Sequence, residues 1–202
     1  MDPLVVILIV LVVVLVGAVL YYRGKRTQRP QRAAGVDPFS SADDDSVWGN
    51  PRTLKPGDLV TVRGQDYTVR GALRLSEGSY TWSEIFLDTG VGDKVWLSVE
   101  DDPDLEVALW REIRGVAVQP GPPSIELDGR RYQSDESGTA RFVSEGTTGV
   151  AERGTVEYHD YESGDGTLLS FERFTGPQGQ WEAARGERLG RADYTIYPQN
   201  NS

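Results

Sequence analysis

The sequence predicts an all-β fold, an antiparallel sandwich or barrel, preceded by one N-terminal transmembrane α-helix. Three observations carry that expectation. An unbroken apolar run opens the chain, from Leu4 to Leu20. Beyond residue 53, short runs with two-residue alternation are separated by turns rich in Gly, Asp and Pro. No long stretch of 3.6-residue apolar periodicity follows the opening run.

The opening run holds 17 residues, counting Gly17, and Tyr21 and Tyr22 extend it to 19. At about 1.5 Å per residue, a helix of that length reaches about 28 Å, close to a hydrocarbon core of about 30 Å. In lipid the backbone must satisfy its own hydrogen bonds, so the many valines favour helix over a lone strand there. A cleaved signal peptide would need a basic leader and a small-x-small cleavage site directly after the run, and neither is present. The predicted span is residues 4–22, with residues 1–3 outside the cell. Arg23, Lys25, Arg26, Arg29 and Arg32 follow the run and no Lys or Arg precedes it. The positive-inside rule therefore orients a single-pass cell-membrane protein with its N-terminus out and its bulk in the cytoplasm. The same cations suit anionic headgroups of the lipid bilayer.

Residues 23–52 lack sustained periodicity and turn from basic to small and polar, then acidic at Asp43-Asp44-Asp45. They read as a flexible linker, with a reach of roughly 30 Å. The aspartate triplet reads as a solvated charge run.

Residues 53–199 form the predicted β-rich domain. Its candidate strands are Asp58–Val62, Tyr67–Leu75, Tyr80–Asp88, Lys94–Val99, Glu106–Ile113, Ser124–Leu127, Arg131–Gln133, Ala140–Ser144, Thr155–Tyr161, Thr167–Phe174 and Asp193–Tyr197. Turn pairs such as Arg63-Gly64 and Asp128-Gly129 separate them. Asp104–Ile113 also fits one short helix. Halves 53–118 and 119–199 share an order of chemistry. Gly64-x-x-Tyr67, Trp82-x-Glu84 and Trp96-Leu97-Ser98-Val99-Glu100 parallel Gly129-x-x-Tyr132, Val156-Glu157-Tyr158 and Leu168-Leu169-Ser170-Phe171-Glu172. The spacings differ, so this is either an internal duplication giving two related β-subdomains or two generic hairpin sets.

Charge narrows the partners. The chain carries 21 basic and 31 acidic residues, and beyond residue 32 the balance is −14. Such a domain repels phosphate backbones, so nucleic acid is not an expected partner. Basic proteins, small cations and polyamines are electrostatically allowed. Without cysteine, disulfides, thiolate chemistry and a cysteine zinc site are excluded.

Several of these residues also carry a family likeness. Leu54-x-x-Gly57-Asp58, Gly64-x-x-Tyr67-x-Val69-x-Gly71, Trp82-x-Glu84, Trp96-Leu97, Tyr158-x-Asp160-Tyr161 and Ser170-Phe171-Glu172 resemble the bacterial domain-of-unknown-function family numbered 4178, over about residues 54–197. The resemblance implies a membrane-anchored member of that family and brings no activity or catalytic position with it.

The candidate chemistry is sparse. His159 is the only histidine, and a strand would point it away from its neighbour Asp160. No Gly-x-Ser-x-Gly elbow supplies a nucleophile. Asp160-x-Glu162-x-Gly164-Asp165-Gly166 lacks the distal Glu of a calcium loop and reads as a hairpin turn. No metal or cofactor is expected. Alternation sets Tyr80, Trp82, Glu84 and Phe86 on one face of a strand, so Glu84 is an acid among aromatics. Such a carboxyl suits cation binding or acid/base work, whereas Ile85 and Leu87 would face the core. A duplication would make Glu157 its counterpart. The candidate binding face is therefore Tyr80, Trp82, Glu84, Glu157, Tyr158 and Asp160.

The leading expectation is a membrane-tethered binding or adaptor module for a cytosolic or membrane protein partner. A tethered enzyme using Glu84 with Glu157 or Asp160, with or without a divalent metal, is one alternative. A cation- or polyamine-sensing module is another.

Overall fold

The computed structural model describes residues 48–101, 103–175 and 179–199. The predicted membrane helix, its five flanking cations and nearly all of the linker lie outside the described residues. Among the described residues no helix is long and apolar enough to cross a membrane.

The chain makes the same five-strand path twice. Strands β1 (Leu59–Val62), β2 (Gln65–Glu77), β3 (Tyr80–Asp88), β4 (Val95–Asp101) and β5 (Leu105–Ile113) run as a meander. Strands β6 (Ser124–Leu127), β7 (Arg130–Gly146), β8 (Arg153–Ser163), β9 (Leu168–Phe174) and β10 (Glu182–Arg188) follow as a second one. Strand β11 (Tyr194–Tyr197) returns beside β1. Each meander opens on a two-residue turn with both residues at positive φ: Arg63 and Gly64 at 48° and 83°, Asp128 and Gly129 at 52° and 74°. That is the type I′ geometry, whose twist matches the flanking strands.

Two seams join the meanders. The second part of β2 pairs with the last part of β7, from Gly71 opposite Gly146 to Ser76 opposite Arg141. Strand β5 pairs with β10, where Trp110 stands opposite Gly186. Every pairing is antiparallel, and the order β2-β3-β4-β5-β10-β9-β8-β7 closes on itself. The fold is thus an eight-stranded antiparallel barrel. The halves are not separate subdomains, because each seam takes one strand from each. Register shifts between Val69 and Gly71 in β2, and between Ser134 and Ser137 in β7, let each long strand serve two neighbours. The early part of β2 pairs with β1 and the early part of β7 with β6.

Three apolar clusters result. Outside β3–β5, Ile85, Leu87, Leu97 and Leu109 are covered by Val60, Tyr67 and Ile196. Outside β8–β10, Tyr161, Leu169 and Phe171 are covered by Ile125 and Tyr132. Inside the barrel, Leu73, Leu75, Phe142, Val156 and Tyr158 meet, with Trp82, Trp96 and Phe174 against them. An eight-stranded barrel has an interior just wide enough for side chains or one small ligand.

Sequence and structure differ at four places. Asp104–Ile113 is strand, because Val107 and Leu109 complete the outer core while Trp110 faces inward. Arg131–Gln133 and Ala140–Ser144 belong to one 17-residue strand bridged by its bulge. Strand β10 was not expected, since Glu182-Ala183-Ala184-Arg185-Gly186-Glu187-Arg188 has no large apolar residue. Ile85 and Leu87 do face a core, yet so does the opposite face of β3, because both surfaces of the sheet are covered.

Candidate functional site

The interior residues follow from alternation. Trp82, Glu84 and Phe86 on β3 face the lumen, as do Trp96, Ser98 and Glu100 on β4 and Trp110 on β5. From the second meander, Tyr158 and Asp160 on β8 and Ser170 and Glu172 on β9 face the same space. Toward the β2–β7 seam the lumen is filled by the apolar cluster. Toward β5, β9 and β10 it stays open as three adjoining cavities of about 60, 90 and 240 Å³. Glu84 and Glu172 border the first two, and Ser98 and Asp160 the last two.

These cavities are lined by nine carboxyl groups and two cations, Lys94 and Arg188. Both cations are already engaged. Lys94 pairs with Glu182 at 2.8 Å and Glu112 at 3.2 Å, and Arg188 with Glu162 at 3.0 Å and Glu106 at 3.2 Å. No Lys or Arg forms an ion pair with Glu84, Asp160 or Glu172 among the described residues. Instead Glu84 and Glu172, reaching from β3 and β9, border the same two cavities within hydrogen-bonding reach of each other. Two ionised carboxylates cannot hydrogen-bond to each other, so a bond across this pair requires one of them to be protonated. Burial pushes both carboxyls above the usual range, Glu172 well above, where the charge of Glu84 adds to the effect. The indole Nε1 of Trp82 donates to Glu84 Oε1 at 3.4 Å. Burial likewise pushes Asp160 up to about 7, with Glu84, Glu136 and Asp135 adding to the rise and a hydrogen bond with Ser170 opposing it.

The aromatic wall is fixed by its own polar contacts. Trp110 Nε1 donates to Ser98 Oγ at 2.9 Å. Tyr158 Oη donates to Glu77 Oε2 at 2.7 Å, and burial together with that acceptor raises its phenol above the ordinary value. Trp82 meets Tyr158 edge to face at 5.8 Å and Tyr80 at 5.6 Å. Three of the five tryptophans of the chain thus border the acidic space.

Of the six residues proposed from sequence, Tyr80, Trp82, Glu84, Tyr158 and Asp160 line one cavity. Glu157 does not. It lies on the outer face of β8, opposite Arg173, and bonds that guanidinium. Nor is it the positional counterpart of Glu84. Ser98 lies opposite Glu84, and Ser170, in the matching Ser-x-Glu of β9, lies opposite Asp160. Sequence reading passed over Glu172, Trp110 and Ser170. The repeated Ser-x-Glu of Ser98 to Glu100 and Ser170 to Glu172 was the available signal, since alternation puts Ser and Glu on the same face. His159 packs against Trp181 at 5.4 Å on the outer face, away from Asp160. Asp165 sits in a tight turn, accepting from Ser163 Oγ at 2.6 Å and pairing with Arg130 at 3.0 Å. Those contacts hold its carboxyl down to about 2, the Ser163 hydrogen bond foremost. Among the described residues no three His, Asp or Glu side chains gather as a metal-holding group.

Comparison with known proteins adds the following. A family model described as a domain of unknown function (DUF4178) matches residues 55–191. Uncharacterised proteins of Mycobacterium bovis and of two strains of Mycobacterium tuberculosis are each 37% identical over 205 residues, covering 98% of this chain and 97% of the relative. No solved structure matches the chain.

Proposed function

The chain belongs to the DUF4178 family, and from that premise we propose that its barrel is a binding module for a small organic cation of the polyamine class. One observation carries the reading: adjoining cavities bordered by three tryptophans are lined by nine carboxyls against two engaged bases. Ammonium groups are drawn both to carboxylates and to aromatic faces. The open space, about 60, 90 and 240 Å³ in three adjoining cavities, is in keeping with a slender aliphatic ligand rather than a polymer. The adaptor role expected from sequence drew its docking face from Tyr80, Trp82 and Glu84. Those side chains line a cavity, which favours a small ligand over a protein surface. The carboxylate-enzyme reading, which paired Glu84 with Glu157 or Asp160, loses Glu157 but keeps Glu84 and Asp160 on one cavity, so it stands as the second reading.

In this proposal residues 4–22 anchor the module in the cell membrane and Arg23, Lys25, Arg26, Arg29 and Arg32 keep it on the cytoplasmic side. The apolar run and the asymmetry of charge support that topology. Protease added outside intact cells should leave residues 54–202 uncut.

Binding is tested by thermal unfolding of the full-length chain in mild detergent. Spermidine should raise the midpoint in a saturable way, since a ligand at about 100 times its Kd stabilises by about 2.7 kcal/mol. Sodium chloride at matched ionic strength should not reproduce the shift. Equal shifts with both, or none with spermidine, would defeat the reading.

A further inference from the structure

Glu84 and Glu172 both border the two smaller cavities of the lumen. The two side chains come from strands on opposite walls, β3 and β9, lie within hydrogen-bonding reach of each other, and border open space on two sides. The groups packed around them are nearly all acids or neutral. From β3, Trp82 donates its indole N–H to Glu84. From β4 and β5 come Glu100 and Glu112, and from the bulge of β7 comes Glu136. From β8 come Tyr158 and Asp160, and from β10 comes Glu182. The one cation in this set, Lys94, is held by Glu112 and Glu182. No Lys or Arg among the described residues pairs with either carboxyl, which leaves a shared proton as the group that neutralises them.

We infer that Glu84 and Glu172 exchange their shared proton for the N–H donors of an incoming ammonium group, so that uptake of the cation releases one proton and a fully N-methylated cation is turned away. This rests on the cation-binding reading above and specifies how that site is controlled. The balance is simple. The carboxyl O–H bond breaks and its proton leaves to solvent. The ammonium keeps all its protons and donates to both carboxylates through the adjoining cavity. Charge at the pair stays the same, because one positive centre replaces another. A quaternary nitrogen has no N–H to restore the two hydrogen bonds, and two facing carboxylates left unbridged inside the barrel are strongly unfavourable. The tryptophan walls alone would accept either cation, so discrimination lies with the carboxyl pair. Apparent affinity then rises as pH rises, by up to tenfold per unit, until the pair is ionised in the free protein.

The test is calorimetric titration of 1,4-diaminobutane into the full-length chain in mild detergent at pH 7, in phosphate and in Tris, whose ionisation heats differ. The expected result is a heat difference equal to about one proton released per site. The release should persist in Glu157→Gln, on the outer face of β8, and vanish in the double variant Glu84→Gln/Glu172→Gln, whose fold is checked by its melting curve. The fully N-methylated diamine should bind at least tenfold more weakly. Equal heats in the two buffers, proton release that persists in the double variant, or equal binding of the methylated diamine would each overturn the exchange while leaving cation binding intact. If neither diamine binds, the cation reading itself falls and the exchange falls with it.

Discussion

The ring of Trp110 occupies the volume that a side chain at position 186 would need. The two residues face each other across the β5–β10 seam, and a Cβ built on Gly186 would lie 2.5 Å from Trp110 Cε3. Real Cβ atoms do not approach that closely, and Trp110 is also tied by its indole to Ser98. Gly186→Ala should therefore displace the ring or the seam, at a cost of about 1–3 kcal/mol. Urea unfolding measures the loss, and a shift in tryptophan emission reports the moved ring. Stability equal to the native chain would mean that Trp110 has another rotamer available at no cost.

Asp160 makes the stability of the barrel depend on pH. Its carboxyl titrates at about 7 in the folded chain, against roughly 3.9 when unfolded. A raised value means that the folded state holds the proton more tightly. The stabilising contribution is complete below about pH 4 and is lost as pH rises through 7. Asp160→Asn, which is permanently neutral, should therefore be more stable than the native chain at pH 8, by on the order of 4 kcal/mol. The gap should narrow at pH 5 and close near pH 4. Denaturant midpoints across that range decide it, and a gap independent of pH would count against a buried, protonated Asp160.

Asp58 clamps the end of the domain to its beginning. It is only 1% exposed. It accepts from Lys55 Nζ at 2.7 Å, the Lys55 amide at 3.0 Å and the Gln199 amide at 2.8 Å. Asp58→Ala removes the acceptor of the Lys55 and Gln199 amides, while Lys55 Nζ keeps the Gln199 carbonyl, and should cost about 1–3 kcal/mol. It should also make the segment after Tyr197 the first to be trimmed by carboxypeptidase, read by mass spectrometry. Trimming at the native rate would show that the clamp is dispensable.

The paired hairpin turns give a matched test. Gly64 and Gly129 sit at φ 83° and 74° with open space around the missing side chain. Replacing either by Ala should cost about 1 kcal/mol, from backbone strain alone. Equal losses at the two positions are expected, measured as shifts in the urea midpoint. A larger loss at one turn would mean that the two meanders do not share their entry geometry.

Much of the fold was legible because its signals are local. Alternation located β3 and β6 to the residue, and the dipeptides Arg63-Gly64 and Asp128-Gly129 announced both hairpins. Strand β10 was hidden because its lumen-facing residues are Ala184 and Gly186, kept small by Trp110 on the neighbouring strand. Half of the site was legible for the same local reason, since Trp82 and Glu84 share a face by spacing alone. Glu172 was not, because nothing near it in the chain reveals that β9 lies across the lumen from β3. Glu157 misled because its likeness to Glu84 rested on the order of residues, whereas its side chain takes the outer face with Arg173.

Both seams of the barrel join residues that lie between 65 and 80 positions apart in the chain. During synthesis the first meander leaves the ribosome with β2 and β5 each lacking a partner, and it must wait for β7 and β10 to be made. Contacts this distant demand loop closure before they reward it, so refolding should belong to the slow, high-contact-order class, on the order of milliseconds to seconds. In the cell, that interval leaves two strand edges open to any passing chain.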